Sequence, residues 1–526
     1  MSLTDRSPTP RRRARVRPRT APTTRATGAT PRRASDRAAL TVATVAVIAL
    51  LVHLSASFGL FAIAPEWTAP VVIGLVAALA SGANWQRTLV GTAMGVALGV
   101  VLAAPWFLHP AAQGSEFVGR AALYVALACG AAAGAAWGLS RAPSRRRAEW
   151  MLGIALVAAI VAGMWVTTAA VNSGAFANGG ETLNQMLSTR PDLGKTPEDR
   201  DIYLRLFYDV HDGRPYYTSV AAIWLADSTI GNHLPIGVTS YRLPTIFYLW
   251  RVLPRNGAAI PWAFLVFATL AVASGFSIGA QLSRPGVAVV GALMVAAAYS
   301  LIATTPWVTF VDGWAMALTL AGIALFIASV RKDSRGLLWA AVAVLFASAT
   351  LRELLVYPML LAAASALLLP RKERWRAARP WLAGIAAFAA VYAAHIAAVA
   401  GRVDTQTGYG YWTQGGPAHL AATLEFFAPY FGARPLLLPL LVVLGIAGAL
   451  SVWASQRRLS AFLTATVAGP LAAFLVFGNG GTEVATGTPS GYWGILVVPI
   501  ALALVPVALE WAMVSLGVPA KSEPVG

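Results

Sequence analysis

Acidic residues are scarce in this chain: 22 Asp and Glu among 526 residues, against 40 Lys and Arg. Cysteine is scarcer still. The single copy, Cys129, lies in the apolar run YVALACG, so no intrachain disulfide can form and no cysteine-based metal spacing exists. It reads as a small core residue. Charged residues of both signs make up only 12%, hydrophobic residues 57%, and mean hydropathy is +0.64. A soluble domain is not this apolar, and the composition places the chain among membrane proteins. Also missing are a GxxxxGKS/T phosphate loop, a dinucleotide fingerprint and a His/Cys zinc pattern, which excludes direct use of ATP by any familiar loop. No internal repeat or matched pair of Gly/Pro-broken spans stands out, which argues against many transporter folds. The net charge of +18 is not a nucleic-acid footprint. Its basic residues crowd a Pro/Thr/Arg-rich tail and the short loops between apolar runs, where they act as orientation signals.

What is present is a series of long apolar runs. A spanning helix needs about 20 mostly apolar residues. Fourteen runs qualify as expected spans, near 38–62, 68–83, 88–108, 119–140, 149–172, 258–281, 286–305, 312–330, 336–351, 354–370, 380–400, 436–455, 460–477 and 492–513. The fold class expected is all-α, a polytopic membrane protein. Residues 1–36 read as a disordered basic tail, not a cleaved signal, because no small-residue cleavage site follows. Residues 37–148 form a four-span N-terminal addition, 149–513 the main body, and 514–526 a second tail. Placing both termini in the cytoplasm collects the short basic loops, such as RAPSRRR, RKDSR and RKERWRAAR, on the inside. The polar loops 173–257, 401–435 and 478–491 then fall on the outer face of the plasma membrane.

The acids that do occur are concentrated. Glu198, Asp199, Asp201, Asp209 and Asp212 lie within PEDRDIYLRLFYDVHDGRPYY, 197–217, in the first outer loop. Asp199 and Tyr203 are spaced i, i+4 and share a helix face. Leu204, Phe207 and Tyr208 form an apolar ridge, so the segment reads as an interfacial amphipathic helix ended by DGRP. Glu198, Asp209 and Asp212 read as solvated. A second interfacial segment is expected over 233–254. Asp312, between two spans, is either a helix cap or a functional acid. Arg352 and Glu353 sit between two apolar runs, where ionisable groups are costly and are functional candidates. Tyr409, Tyr411, Trp412, Tyr492 and Trp493 stud Gly-rich outer loops and suit either a sugar-stacking surface or an interfacial aromatic belt. His395 reads as a satisfied polar group within a span.

The order of these motifs resembles the GT-C glycosyltransferases. The chain has an early Asp199-Arg-Asp-Ile-Tyr203, then Gly213-Arg-Pro-Tyr216, an Arg-x-Pro at 242–244, a second outer loop with Asp312, and YWGILVVP at 492–499. The likeness covers 149–513. It departs from the family in lacking the DExxHY-like form and in reversing the Asp-Glu order at 198–199, and the spans over 38–140 have no counterpart.

That resemblance implies an outer-face transferase using a polyprenyl-phosphate-linked sugar donor and a glycan, glycolipid or protein acceptor, with inversion at the anomeric carbon. Asp199 or Asp201 is then the general base. Arg352 and Arg242 hold the donor phosphate, for which arginine's fork is suited. Asp312, Tyr203 and Glu353 orient the acceptor or bind a cation. Carboxylates at Asp199, Asp201 and Asp312 are hard ligands that would accept Mg²⁺, Mn²⁺ or Ca²⁺, which leaves a metal open. Membrane lipids are the expected surroundings, and nucleic acid is not an expected partner. A lipid-linked glycan flippase and an O-antigen-type polymerase or ligase remain alternatives. The Ala/Arg/Gly-rich usage suggests a high-GC bacterium, as in an actinobacterium building its cell envelope.

Overall fold

A computed structural model describes residues 145–172, 182–191, 199–226, 241–403, 413–427, 437–479 and 491–516. These are almost wholly helical. The helices are α1 (Arg145–Asn172), α2 (Leu183–Ser188), α3 (Asp199–His211), α4 (Tyr216–Ala226), α5 (Thr245–Trp250), α6 (Ile260–Leu282), α7 (Pro285–Ala303), α8 (Val311–Lys332), α9 (Arg335–Leu351), α10 (Tyr357–Ser365), α11 (Arg371–Val399), α12 (Pro417–Glu425), α13 (Leu437–Ser451), α14 (Arg457–Phe474) and α15 (Val498–Ser515). The one extended pairing among the described residues joins β1 (Thr413–Gln414) to β2 (Gly478–Asn479), in parallel.

Five helices are long and apolar enough to cross a membrane: Gly257–Leu282, Pro285–Ala303, Val311–Lys332, Arg371–Val399 and Val498–Ser515. Each matches an expected span. The runs at 336–351, 354–370 and 436–455 are also helical but shorter, and the second of them breaks into 3-10 turns at both ends of α10. The run at 460–477 lies on α14, and that at 149–172 on α1. The four expected spans over 38–140, the tail 1–36 and residues 517–526 of the second tail lie outside the described residues, while 514–515 end α15.

The long helices alternate in direction, so one end of the bundle gathers the starts of α6, α8, α10 and α15 with the ends of α7, α9 and α11. The tie between Tyr241 and Arg402, where the Tyr241 hydroxyl donates to the Arg402 carbonyl at 2.7 Å, holds the loop before α5 to the end of α11. At the opposite end lie the basic turns: Arg284, the Arg331–Arg335 turn, and the Arg371–Arg379 start of α11. Small residues let the backbones approach, as is usual where lipid offers no hydrophobic drive between helices. α13 lies parallel to α15, and a Cβ on Gly445 would stand 2.4 Å from the Ala501 carbonyl oxygen, one on Gly448 2.4 Å from that of Leu504. Between α8 and α9, the Ser348 hydroxyl donates to the Ala315 carbonyl at 2.7 Å and pairs with Thr319.

α3 and its surroundings sit at the end of the bundle opposite the basic turns. Asp199 and Asp201 occupy its first turn, where the helix dipole favours acids. The helix ends as the DGRP signal requires. Gly213 takes φ +82°, Gly213 N–H donates to the Val210 carbonyl and Arg214 N–H to that of Asp209. This is a Schellman closure, which a side chain at Gly213 would strain. Leu204, Phe207 and Tyr208 are buried, so the expected apolar ridge faces protein. The described part of the second interfacial segment forms α5, started by Pro244.

Candidate functional site

Four charged side chains meet at this end of the bundle. Asp312 lies in the first turn of α8, but Phe310 is the capping residue and the Asp312 carboxylate caps nothing. It instead accepts from Arg352 Nε at 2.7 Å. Arg352 is the residue at which α9 stops: its extended backbone (φ −140°, ψ 106°) turns the chain into a 3-10 turn over Glu353–Val356 before Pro358 starts α10. The break puts Arg352 and Glu353 side by side, with Arg352 Nη1 donating to Glu353 Oε1 at 3.1 Å. Glu353 Oε1 also accepts from Arg242 Nη1 at 3.1 Å. The chain Asp312–Arg352–Glu353–Arg242 therefore carries two negative and two positive charges.

Burial sets the energetics. Arg352 and Asp312 are fully buried, and the side chains of Glu353 and Arg242 are 13% and 16% exposed. Buried charges persist only when paired and hydrogen-bonded. Here the pairing is incomplete: Asp312 Oδ2, Arg352 Nη2 and Glu353 Oε2 are buried without a hydrogen-bond partner among the described residues. Each such atom costs about 1–3 kcal/mol. Three on adjoining side chains leave a donor and two acceptors available to a polar ligand or to water.

Arg242 is positioned by the two tyrosines of the sequence motifs. Tyr203 on α3 accepts from Arg242 Nε at 3.4 Å, and Tyr216 at the start of α4 donates from its hydroxyl to the Arg242 carbonyl at 2.8 Å. Burial opposes the Arg242 charge, but the neighbouring Tyr203 and Glu353 outweigh it, and its pKa stands well above the usual arginine value. Burial holds the Tyr216 hydroxyl far above the usual tyrosine pKa, so it stays a donor. Phe247 of α5 stacks on both rings, 6.0 Å from Tyr203 and 5.1 Å from Tyr216. The Asp-x-x-x-Tyr, Gly-x-x-Tyr and Arg-x-Pro stretches thus converge on one residue, Arg242, the first at its guanidinium and the second at its backbone.

An aromatic wall flanks the charges. Tyr203 lies 5.3 Å from Phe310, Phe310 5.1 Å from Tyr492, and Trp307 packs on Phe310, Tyr492 and Phe426 at 4.7, 6.0 and 5.1 Å. Trp307, Phe310 and Phe426 were not expected from sequence; the single signal was the aromatic content of TPWVTF and EFFAPYF.

Of the residues expected at a site, Tyr203, Arg242, Asp312, Arg352, Glu353 and Tyr492 lie in or beside this cluster. Trp493 packs instead against His419 and Phe474, 5.5 and 5.8 Å away. Asp199 and Asp201 are on α3, four and two residues before Tyr203. Asp201 is half-buried, and the Asp199 side chain lies outside the described residues. Tyr409, Tyr411 and Trp412 lie outside them too. His395 is satisfied, bridging the Tyr217 hydroxyl at 3.0 Å and the Tyr241 carbonyl at 3.2 Å.

Asp209 corrects the sequence reading. It is 2% exposed, not solvated. The reason is three arginines: Arg190, Arg205 and Arg214 all approach its Oδ1. The i, i+4 spacing of Arg205 and Asp209 was the visible clue.

No group of three or more His, Cys, Asp or Glu side chains fit to hold a metal ion occurs among the described residues. The cluster can bind an anion through its arginines, and it offers carboxylates to hydroxyl donors. No protein-family model matches this chain, and no curated protein is significantly similar to it.

Proposed function

We propose that this chain is an integral membrane glycosyltransferase that moves a sugar from a polyprenyl-phosphate donor to an acceptor at the outer face, as its resemblance to the GT-C enzymes implies. The observation that carries the reading is the incompletely satisfied Asp312–Arg352–Glu353–Arg242 chain, sitting at the end of the bundle away from the basic turns. The excess of Lys and Arg in those turns orients that end outward. The fourteen-span topology with cytoplasmic termini belongs to this proposal.

The chemistry follows from the groups present. A lipid phosphate is already a competent leaving group. Transfer needs its departing charge offset and an acceptor proton removed. Arg352 Nη2 has no partner among the described residues and Arg242 is held by two tyrosines, so the two guanidiniums can receive phosphate oxygens in a forked geometry. As the glycosidic C–O bond to phosphate breaks, the acceptor oxygen bonds to the anomeric carbon from the opposite face, and Asp199 or Asp201 takes its proton. Asp312 and Glu353 keep the arginines in place before the donor arrives. The Trp307–Phe310–Tyr492 wall offers faces on which a sugar ring can lie.

The test is transfer by the purified protein in nanodiscs, using a series of defined polyprenyl-phosphate sugars and a cell-envelope acceptor extract. Arg242→Gln should reduce transfer by about 10²–10³-fold while leaving unfolding behaviour close to that of the parent. Full transfer by Arg242→Gln, or transfer only from pyrophosphate-linked oligosaccharides, would overturn the reading.

A further inference from the structure

A second cationic cluster lies at the far end of α3, with more arginines than carboxylates among the described residues. Arg190, Arg205 and Arg214 converge on Oδ1 of Asp209, the last two at 3.3 and 3.6 Å. Arg190 also reaches Asp212 Oδ2 at 3.0 Å, and Arg255 pairs with Asp212 Oδ1. The four arginines come from four places in the chain: the segment after α2, α3 itself, the turn after it, and the approach to α6. Against them stand two carboxylates, leaving an excess of two positive charges among the described residues.

The arrangement has a floor and a rim. The Asp209 side chain is 3% exposed, whereas Arg214 is 56% and Arg255 70% exposed. The buried carboxylate of Asp209 draws three guanidiniums together, and among the described residues the two carboxylates balance only half of the four positive charges. An anion seated on the rim would balance the rest. The fork of arginine suits the tetrahedral oxygens of phosphate above other anions. Val252, three residues before Arg255 in the same turn, is 79% exposed.

We propose that this cluster is a binding site for a phosphate group, separate from the Arg242–Arg352 site. The helix itself separates them. Asp209 follows Tyr203 by six residues, roughly 9 Å further along the axis and about 240° around it. The inference needs nothing from the transferase reading.

The experiment uses the full-length protein in phosphatidylcholine nanodiscs and reads the unfolding midpoint by tryptophan fluorescence. One arm titrates inorganic phosphate against chloride at matched ionic strength; the other replaces part of the lipid with phosphatidylglycerol. A rise in either arm supports the site, and the arm that responds tells free phosphate from a lipid headgroup. Arg214→Gln/Arg255→Gln, which spares the floor, should require about tenfold or more ligand for the same rise, and Arg214→Lys/Arg255→Lys should retain part of it. The share of the rise that survives in Arg242→Gln belongs to this site, and Arg214→Gln/Arg255→Gln should remove that share, which distinguishes this site from the other. If the double Gln variant fails to fold, Arg214→Gln alone should weaken the response measurably. No rise in either arm, or an unchanged rise in the Gln variants, overturns the proposal.

Discussion

Arg352 Nε donates to Asp312 Oδ1 at 2.7 Å, linking the break after α9 to the first turn of α8 with both side chains fully buried. Breaking one half of such a pair strands a buried charge, at about 3–5 kcal/mol. Asp312→Ala should therefore lower thermal stability strongly in detergent, while Asp312→Leu/Arg352→Met should recover much of the loss. Calorimetry of the single and double variants checks this; equal losses in both would show that the charges do not act as a pair.

Arg242 and Glu353 should behave differently from Arg352. Glu353 Oε1 is shared by both arginines, so removing Arg242 leaves it one partner. Arg242→Gln should cost little stability but reduce transfer by about 10²–10³-fold, as expected for a lost transition-state donor. Steady-state kinetics should place the loss in kcat as well as KM.

Tyr203 touches Arg242 from α3, and Tyr216 holds its backbone from α4. Tyr203→Phe removes only the side-chain contact. It should lower transfer about tenfold with an unchanged unfolding midpoint, whereas Tyr216→Phe takes the donor from the part-buried Arg242 carbonyl and should cost about 1 kcal/mol of stability, read as a lower midpoint.

The parallel packing of α13 on α15 depends on Gly445 and Gly448. A Cβ on either would lie 2.4 Å from a backbone carbonyl oxygen, which no side-chain rotation can relieve. Gly448→Val should destabilise by about 1–3 kcal/mol or more, read as a lower midpoint and reduced yield of folded protein.

Legibility in the sequence varied with the physics behind each feature. The long spans were plain, because hydropathy over about 20 residues is a strong signal; α6, α7, α8, α11 and α15 fall where the apolar runs do. The break at Arg352–Glu353 was legible as two charges interrupting an apolar run. What no spacing could reveal was which charges meet. Arg242 and Glu353 are 111 residues apart, and their pairing depends on the alternation of helix directions. Asp209 was misread because a carboxylate in a polar loop looks solvated until its arginines arrive from 190 and 214. Trp307 and Phe310 were overlooked because aromatics at the end of a span are usual interfacial residues.

The most direct test is a transfer assay with the parent protein and two single variants, Asp199→Asn and Asp201→Asn, on a defined polyprenyl-phosphate sugar, with product identified by mass spectrometry and its anomeric configuration by NMR. The account predicts inverted product from the parent, and its loss in one of the two variants while both still fold and retain donor binding. No product from any polyprenyl-phosphate sugar, or full activity in both variants, would contradict it.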